Sequence, residues 1–438
     1  MAETTPSPTK KNILILGGSY GGISIAHHLL KHTFPVLPNA SSYQIILVSS
    51  ASQAMCRPAC PRALISDDFF DQEKLFVSIP AQFAQYPDSQ FRFIHGSATS
   101  LDIVQRTVTI TPNTGGAGEE KLAYHALVIA TGSTTASPLH GLNRADVPRL
   151  RDSWTKFRTA LPSAKTIVIS GGGPNGIETA GELGEYLNGR PGFFSPKVPS
   201  NPKVSITLVT SAQKILPILR TSITEKAENL LAQVGVTLLK NARVVGVTPE
   251  GAGSTDDLVA SKAVVRLEDG RELEADLYIP CTGTTPNTQF IDGRESGLLA
   301  GDGRVKTNEG TLRVDKAGER VYAIGDAANY ARAAIHLLME AVPVLAANIK
   351  KDLLEAEGGE GNGKDGKGDK KDGKAREDRI YKADNRETHL VPLGKSKGVG
   401  AAMGWQLPSI MVWAIKGRDY WLWTVRDLWS GKQWSKEG

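Results

Sequence analysis

Short apolar runs, glycine-rich turns and longer amphipathic stretches follow one another along most of the chain. Residues 13–17 form the first apolar run, and residues 23–30 after the turn are again mostly apolar. This order predicts a buried parallel strand, a sharp turn and a helix. The pattern returns at residues 165–183. Two strand–turn–helix units in one chain predict an α/β fold with two doubly wound domains.

Further strands are expected where β-branched and aliphatic residues cluster between turn signals. Residues 91–111 are interpreted as two strands around Gly96. The other expected strands are residues 43–48, 122–129, 204–209, 235–247, 263–267, 277–280 and 321–324.

The order of these elements divides the chain into segments. Residues 11–150 and 276–354 are expected to form one dinucleotide-binding domain, into which residues 151–275 insert a second. Residues 1–10 are expected to be flexible. Residues 355–378 are almost entirely glycine and charged residues, so a disordered insert is predicted there. Residues 379–438 are expected to form a small C-terminal α+β region.

Composition narrows the class of protein. Hydrophobic residues make up 40% and charged residues 22%, as in a soluble globular protein, and the net charge of +5 is too mild to favour nucleic acid as a partner. Three cysteines, Cys56, Cys60 and Cys281, do not make a secreted disulfide framework. The N-terminus lacks the apolar core of a secretory signal, and no apolar run reaches the ~18 residues of a membrane span. A cytoplasmic location is expected.

The two glycine turns carry the clearest chemistry. The first contains Gly17, Gly18, Gly21 and Gly22, with Ser19 where a dinucleotide loop usually has its middle glycine. The second meets the G-x-G-x-x-G pattern in full, at the glycines Gly171, Gly173 and Gly176. Glycines at these positions let backbone N–H groups approach a pyrophosphate at the start of a helix.

The strands that follow each loop end without the acid that usually binds a ribose hydroxyl. Ser49 stands at the end of the first and Ser211 just beyond the end of the second. Either the serine hydroxyl of the first strand binds the ribose more weakly, or backbone and water hold it. At the second site, Lys214 and Arg220 are candidate partners of a 2′-phosphate, and the choice between NADH and NADPH stays open.

Small residues recur where later strands end. Ala130-Thr131-Gly132 is echoed by residues 281–287, and such tripeptides let the chain pass close to a bound dinucleotide. Gly325-Asp326 closes another strand, where the carboxylate is able to accept a hydrogen bond from a ribityl hydroxyl. A turn or a helix cap is the alternative role of an isolated Gly-Asp pair.

Residues 55–65 form a stiff cationic segment. Arg57 and Arg62 stand either in a solvated loop or against a flavin or pyrophosphate. Cys56 and Cys60 are either a redox dithiol or inert free thiols. The aromatic and basic stretch 404–429 is likewise open to two interpretations, core packing or contact with a membrane surface or partner.

Taken together, these motifs resemble the apoptosis-inducing-factor family, and within it the ferroptosis-suppressor-like NAD(P)H:quinone oxidoreductases. The resemblance extends over the chain except residues 1–10 and 355–378 and includes the motifs at 17–22, 57–64, 130–132, 171–178, 281–287, 325–326, 398–400 and 416–420. It implies an FAD site at Gly17, Gly18, Ser19, Tyr20, Gly21, Gly22, Ser49, Arg57, Arg62, Ala98, Thr131, Gly132, Gly325 and Asp326. It implies an NAD(P)H site at Gly171, Gly173, Pro174, Gly176, Glu178, Ser211 and Gly283, and no metal site.

The resemblance also implies the reaction. A hydride passes from NAD(P)H to FAD, and electrons then pass to a quinone-like acceptor. Glu178, expected in the first turn of its helix, pairs with Arg62 near the flavin and both act in catalysis. Beside the cytoplasmic location, peripheral contact with a membrane such as the mitochondrial outer surface is left open. Two alternatives are kept: a disulfide or peroxide reductase using Cys60, and a non-catalytic cell-death effector that binds DNA or membrane.

Overall fold

A computed structural model of the protein describes residues 10–113, 118–192, 198–292, 297–360 and 377–438. Within these ranges parallel sheets alternate with helices, which confirms the predicted α/β class with Rossmann-like sheets. The expected flexible N-terminus lies outside the described residues except for Lys10. Of the helices in these ranges, none combines the length and apolar character that crossing a bilayer demands.

The strands, in chain order, are β1 (Lys11–Leu16), β2 (Tyr43–Ser49), β3 (Gln53–Met55), β4 (Phe76–Ser78), β5 (Phe91–Asp102), β6 (Thr107–Pro112), β7 (Glu120–Ala123), β8 (Ala126–Ile129), β9 (Ser133–Thr135), β10 (Thr166–Ser170), β11 (Ser205–Val209), β12 (Val236–Leu239), β13 (Val244–Thr248), β14 (Ala263–Leu267), β15 (Glu272–Ala275), β16 (Leu277–Pro280), β17 (Thr284–Pro286), β18 (Val321–Ala323), β19 (His389–Pro392), β20 (Gly398–Ala402) and β21 (Trp405–Gln406).

The helices are α1 (Tyr20–His32), α2 (Cys60–Ala63), α3 (Gln72–Leu75), α4 (Ile79–Gln82), α5 (Val147–Ala160), α6 (Pro174–Asn188), α7 (Thr221–Ala232), α8 (Ile335–Glu360), α9 (Ser409–Val412) and α10 (Leu422–Trp429). A π-helical turn, Trp413–Gly417, continues directly from α9.

The first sheet has the strand order β18-β8-β1-β2-β5-β6-β7. Its first five strands run parallel, and β6 and β7 return antiparallel. Strand β1 is central because Ile13, Leu14 and Ile15 are fully buried between neighbours on both sides. The predicted break at Gly96 is wrong: β5 continues through this glycine to Asp102, and the turn follows there.

The second parallel sheet has the order β12-β11-β10-β16, and β13, β14 and β15 form an antiparallel sheet beside it. Strand β16 pairs with β10 although it lies beyond the predicted boundary at residue 275. The second sheet therefore extends to Pro280, one strand further than predicted.

A two-stranded ribbon joins the two halves. Strand β9 leaves the first sheet after β8, and it pairs antiparallel with β17, which leaves the second sheet after β16. Hydrogen bonds fasten the ribbon: Thr131 Oγ1 donates to the Asn287 carbonyl (2.7 Å), and Asn287 Nδ2 donates to the Thr131 carbonyl (2.9 Å). The chain therefore crosses between the halves twice at one place.

The C-terminal region packs against both halves. Strand β19 lies beside α6, and the last residues cover α1. Side chains of α1 contact main-chain carbonyls there: the His27 ring contacts Trp429 O (2.8 Å), and the His28 ring contacts Glu437 O (2.9 Å). Tyr420 and Trp429 are buried, so core packing accounts for part of the aromatic stretch 404–429.

The predicted disordered insert needs a correction at both ends. Helix α8 continues to Glu360, and Glu357 accepts hydrogen bonds from Lys11, Asn39 and Tyr43. At the other end Asp378 pairs with Arg313 (2.9 Å). These carboxylates bind cations and donors of the first domain, which composition alone did not reveal. Residues 361–376, the middle of the predicted insert, lie outside the described residues.

Candidate active site

The first glycine turn lies at the carboxyl end of β1, where α1 begins. A Cβ on Gly22 would lie 1.8 Å from the Gly17 carbonyl oxygen, so the helix can approach the strand this closely only with glycine there. The second turn repeats the arrangement, since a Cβ on Gly176 would lie 2.1 Å from the Gly171 carbonyl oxygen. Gly22 and Gly176 thus act in packing and do not line a cleft.

A narrow cleft of about 180 Å³ lies at the carboxyl ends of β1, β2 and β8. The predicted FAD residues that line it are Gly17, Gly18, Ser19, Ser49, Arg57, Ala98, Thr131 and Gly132. Ser49 is 7% exposed, and its Oγ accepts a hydrogen bond from the Ala51 N–H (3.2 Å). Its place at the end of β2 is where the ribose acid usually stands.

A wider cleft of about 880 Å³ lies between the two glycine turns. The predicted residues that line it are Ser19, Tyr20, Gly21, Arg57, Gly132, Gly171, Gly173, Pro174, Glu178, Ser211, Gly283, Gly325 and Asp326. Arg57 lines both clefts and donates to the Ser133 carbonyl (3.1 Å), while Asp326 accepts from Ser133 Oγ (2.8 Å). All but three of the predicted site residues, Gly22, Gly176 and Arg62, therefore line these clefts.

Glu178 reaches the wide cleft from α6 and pairs with a lysine of the C-terminal region. Lys416 Nζ donates to Glu178 Oε1 at 2.5 Å, and the two side chains are 7% and 4% exposed. Burial raises the pKa of Glu178 to about 7, against the opposing effect of Lys416. Glu178 is the fifth residue of α6, so it stands in the second turn of the helix and not in the first as expected.

The predicted pair between Arg62 and Glu178 is wrong. Arg62 instead binds Glu182 through two bonds, Nε to Oε2 (2.9 Å) and Nη2 to Oε1 (2.8 Å). Its Nη1 donates to the carbonyl of Gly417 (2.8 Å), and Tyr420 Oη donates to Glu182 (2.9 Å). The carboxylate one turn further along α6 therefore binds the arginine, while Glu178 binds Lys416.

Arg62 therefore has no place in the cofactor clefts. Its side chain is 6% exposed and joins α2, α6 and the C-terminal region. It holds the π-helical turn that carries Lys416. We assign it a positioning role in place of the predicted catalytic and flavin-binding role.

The three cysteines are free thiols, of which Cys281 is partly exposed. Cys56 and Cys60 are fully buried, and burial raises the pKa of Cys56 to about 12 and that of Cys60 further. Cys281 lines the wide cleft, but burial raises its pKa to about 12 as well. Because the thiolate is the reactive form, the raised pKa values disfavour reactivity of all three thiols at neutral pH.

The two cations proposed for a 2′-phosphate are bound elsewhere. Lys214 donates to the Leu219 carbonyl (2.6 Å). Arg220 Nε donates to Glu387 (2.6 Å). Neither lines the wide cleft, which receives Arg243 instead.

Several site residues were not predicted. Lys416 and Tyr420 stood in a motif without an assigned role, and Glu182 was not singled out. The spacing of Glu178 and Glu182 by one helical turn was the available signal, because residues four apart share a helix face. The partner of each carboxylate depends on the C-terminal fold, which sequence spacing does not encode.

The N-termini of α1 and α6 are suited to bind phosphate groups. In the described ranges no side chain caps α1 or α6, and the first residues of both helices line the wide cleft. Uncapped N–H groups at a helix start bind anions. With Gly132 and Gly283 leaving open space where a Cβ would stand, the chain fits two dinucleotides. The fold and clefts define a two-dinucleotide flavin oxidoreductase.

Comparisons with known proteins support this class. Residues 11–344 match the protein family described as pyridine nucleotide-disulphide oxidoreductase, and the chain belongs to this family. It is an oxidoreductase with FAD and NAD(P)H as cofactors. It is 58% identical over 435 residues to oxidoreductase phnG of Penicillium herquei, covering 99% of both chains.

Two further comparisons give a lower sequence identity and a similar fold. Ferroptosis suppressor protein 1 of Mus musculus is 25% identical, with 93% of each chain covered. A crystal structure of reduced Bacillus anthracis CoADR-RHD superposes with a TM-score of 0.59 at 17% identity, covering 88% of this chain and 60% of that one, which shows a common fold.

Proposed function

We propose that this oxidoreductase reduces a quinone-like acceptor at the expense of NAD(P)H. The observation that carries the proposal is the buried Glu178–Lys416 pair, in which Glu178 lines the cleft between the two glycine turns. FAD held at the first glycine turn would supply the redox chemistry, as an acceptor of hydride from NAD(P)H and a donor of electrons to the quinone-like acceptor. The resemblance of the sequence motifs to ferroptosis-suppressor-like NAD(P)H:quinone oxidoreductases also supports this class of acceptor.

The chain's own residues supply binding and a proton. NAD(P)H and a quinone form NAD(P)⁺ and a hydroquinone only with the uptake of one proton. Glu178, whose pKa lies at about 7, is close to half protonated at neutral pH and is in contact with Lys416 Nζ, so it can give up and regain a proton there. A carboxyl group with a pKa near the working pH is suited to general acid–base catalysis. Glycine turns and Arg57 bind and orient the dinucleotides.

The cysteine alternative is less favoured. A disulfide reductase needs a thiolate, and burial raises the pKa of Cys56 and Cys60. The test is steady-state turnover with NADH or NADPH against a quinone panel, before and after alkylation of the native protein with iodoacetamide. We expect quinone reduction to survive alkylation. Loss of quinone turnover on alkylation, together with turnover of a disulfide substrate before it, would favour the Cys60 mechanism.

We further propose that the C-terminal region contacts an anionic membrane surface, from which an apolar quinone would arrive. Exposed apolar side chains support this: Met403, Trp405, Ile410, Met411, Ile415 and Trp423. Cations accompany them, since the Arg418 guanidinium lies 6.0 Å from the Trp423 ring centroid. Tryptophan and cationic side chains together favour membrane interfaces.

Vesicle sedimentation tests the membrane proposal. We expect binding to anionic vesicles that weakens with salt and is lost in the Trp405→Ala/Trp423→Ala double variant. Tyr186→Ala removes an exposed aromatic ring from the second domain and serves as the control. Equal binding by both variants would exclude this surface.

A further inference from the structure

In the second domain, the adenosine ribose of a dinucleotide is expected beside the carboxyl ends of the strands of the second sheet. In dinucleotide-binding folds the group beyond the second strand meets the ribose 2′-position. Here β11 is that strand, and it is followed by Thr210 and Ser211, which carry no charge. Lys214 and Arg220 are engaged by other partners, as described above. A neighbouring segment must therefore supply any charge at this edge.

The loop after β12 supplies it. The Ala242 N–H donates to the Thr210 carbonyl (2.9 Å), and the Asn241 N–H donates to the Ala212 carbonyl (3.2 Å). These bonds hold the loop against the end of β11. Arg243, the next residue, lines the wide cleft together with Thr210 and Ser211.

Arg243 is available for a ligand. Its side chain is 64% exposed, and its described ion pair, with Glu268, spans 3.8 Å between side chains that are both exposed. Among the described residues that line the wide cleft, the other charged side chains are Arg57, Glu178 and Asp326. Arg57 and Asp326 belong to the first domain, and Glu178 is paired with Lys416.

We propose that Arg243 binds the 2′-phosphate of NADPH and gives the protein a preference for NADPH over NADH. Guanidinium groups bind phosphate through two parallel hydrogen bonds, whereas a ribose 2′-hydroxyl offers no charge to pair. An acid after β11 would repel the phosphate, and Thr210 and Ser211 do not. Arg243, in the loop after β12, would therefore supply the 2′-phosphate contact that was expected of Lys214 and Arg220.

Calorimetric titration of the FAD-loaded protein tests this without turnover. The probes are 2′,5′-ADP and 5′-AMP, which differ by the 2′-phosphate. We expect the wild type to bind 2′,5′-ADP at least about tenfold more tightly, and Arg243→Ala to lose most of that factor while binding 5′-AMP as before. Arg266→Ala, which removes an exposed arginine of β14, is the matched control.

Two further variants sharpen the result. Arg243→Lys should retain part of the preference because it keeps the charge, and Glu268→Gln should increase 2′,5′-ADP affinity because a competing carboxylate is removed. The ratio of kcat/KM for NADPH to that for NADH should fall in Arg243→Ala alongside the binding ratio. Equal affinity of the wild type for the two probes, or an unchanged ratio in Arg243→Ala, would overturn the proposal.

Discussion

Two carboxylates on one face of α6 take different cations. Glu178 and Glu182 are separated by one turn, and each binds a cation delivered by a different part of the chain, Lys416 to the first and Arg62 to the second. Only Glu178 borders the wide cleft. The proposed chemical role therefore belongs to this carboxyl group, and the neighbouring Arg62–Glu182 pair joins α6 to the turn that carries Lys416.

The first prediction concerns the Glu178 proton. Burial raises the pKa of Glu178 to about 7, so the group is protonated below that pH and ionised above it. If it supplies the proton, reoxidation of the reduced enzyme by a quinone should slow as the pH rises through about 7. Glu178→Gln should flatten this profile in stopped-flow measurements and leave FAD content unchanged. A wild-type profile in that variant would remove Glu178 from the proton path.

The second prediction concerns Arg62 and Glu182. Arg62→Ala leaves a buried carboxylate without its cation and should lower the free energy of unfolding by about 3–5 kcal/mol. The Arg62→Met/Glu182→Leu variant removes both charges and should lose less. Urea unfolding measures both. The single variants Arg62→Met and Glu182→Leu complete the comparison. If their losses add up to the loss in the double variant, the pair is not coupled.

At the scale of elements, the carboxylate of Glu357 holds the C-terminal part of α8 against the first sheet. Burial raises the pKa of Glu357, but hydrogen bonds from Tyr43, Lys11 and Asn39 lower it more, to about 2 from the ordinary 4.5. The contact joins the end of α8 to β1 and β2. Helix α8 therefore closes the first domain against its central strands.

The third prediction follows from that carboxylate. Because its pKa is lowered on folding, its stabilisation is present above about pH 4.5 and is lost as the pH falls toward about 2. Glu357→Gln should cost about 1–3 kcal/mol at pH 7, and the difference in Tm from wild type should shrink below pH 4.5. A difference that stays constant down to pH 3 would contradict this pKa.

The sequence predicts the strands and helices more accurately than the contacts between their side chains. Periodicity and glycine spacing identified β1, α1, β10 and α6, because these signals are local. The predicted break at Gly96 is wrong because a glycine within a strand cannot be distinguished from a glycine in a turn until the pairing of the neighbouring strands is known. Arg62 was paired with the wrong glutamate, since two carboxylates one turn apart compete and the tertiary fold decides between them.

At the scale of the whole molecule, anchors at both ends of the predicted insert limit what can be removed. Replacing residues 361–376 by a short linker should leave Tm nearly unchanged. The segment has almost no apolar residues to pack, and the entropy of loop closure depends only weakly on loop length. Deleting residues 355–378 also removes Glu357 and Asp378 and should lower Tm. Differential scanning calorimetry of both deletions tests this, and equal Tm values would show that the anchors contribute nothing.

The ribbon of β9 and β17 has a consequence for engineering. Because the chain leaves and re-enters the first domain at adjacent, paired strands, everything between them is one contiguous cassette with neighbouring ends. The nicotinamide half of a relative can therefore be exchanged by a two-point graft within the ribbon. A single-crossover chimera would cut the ribbon between its strands and leave the halves with mismatched edges.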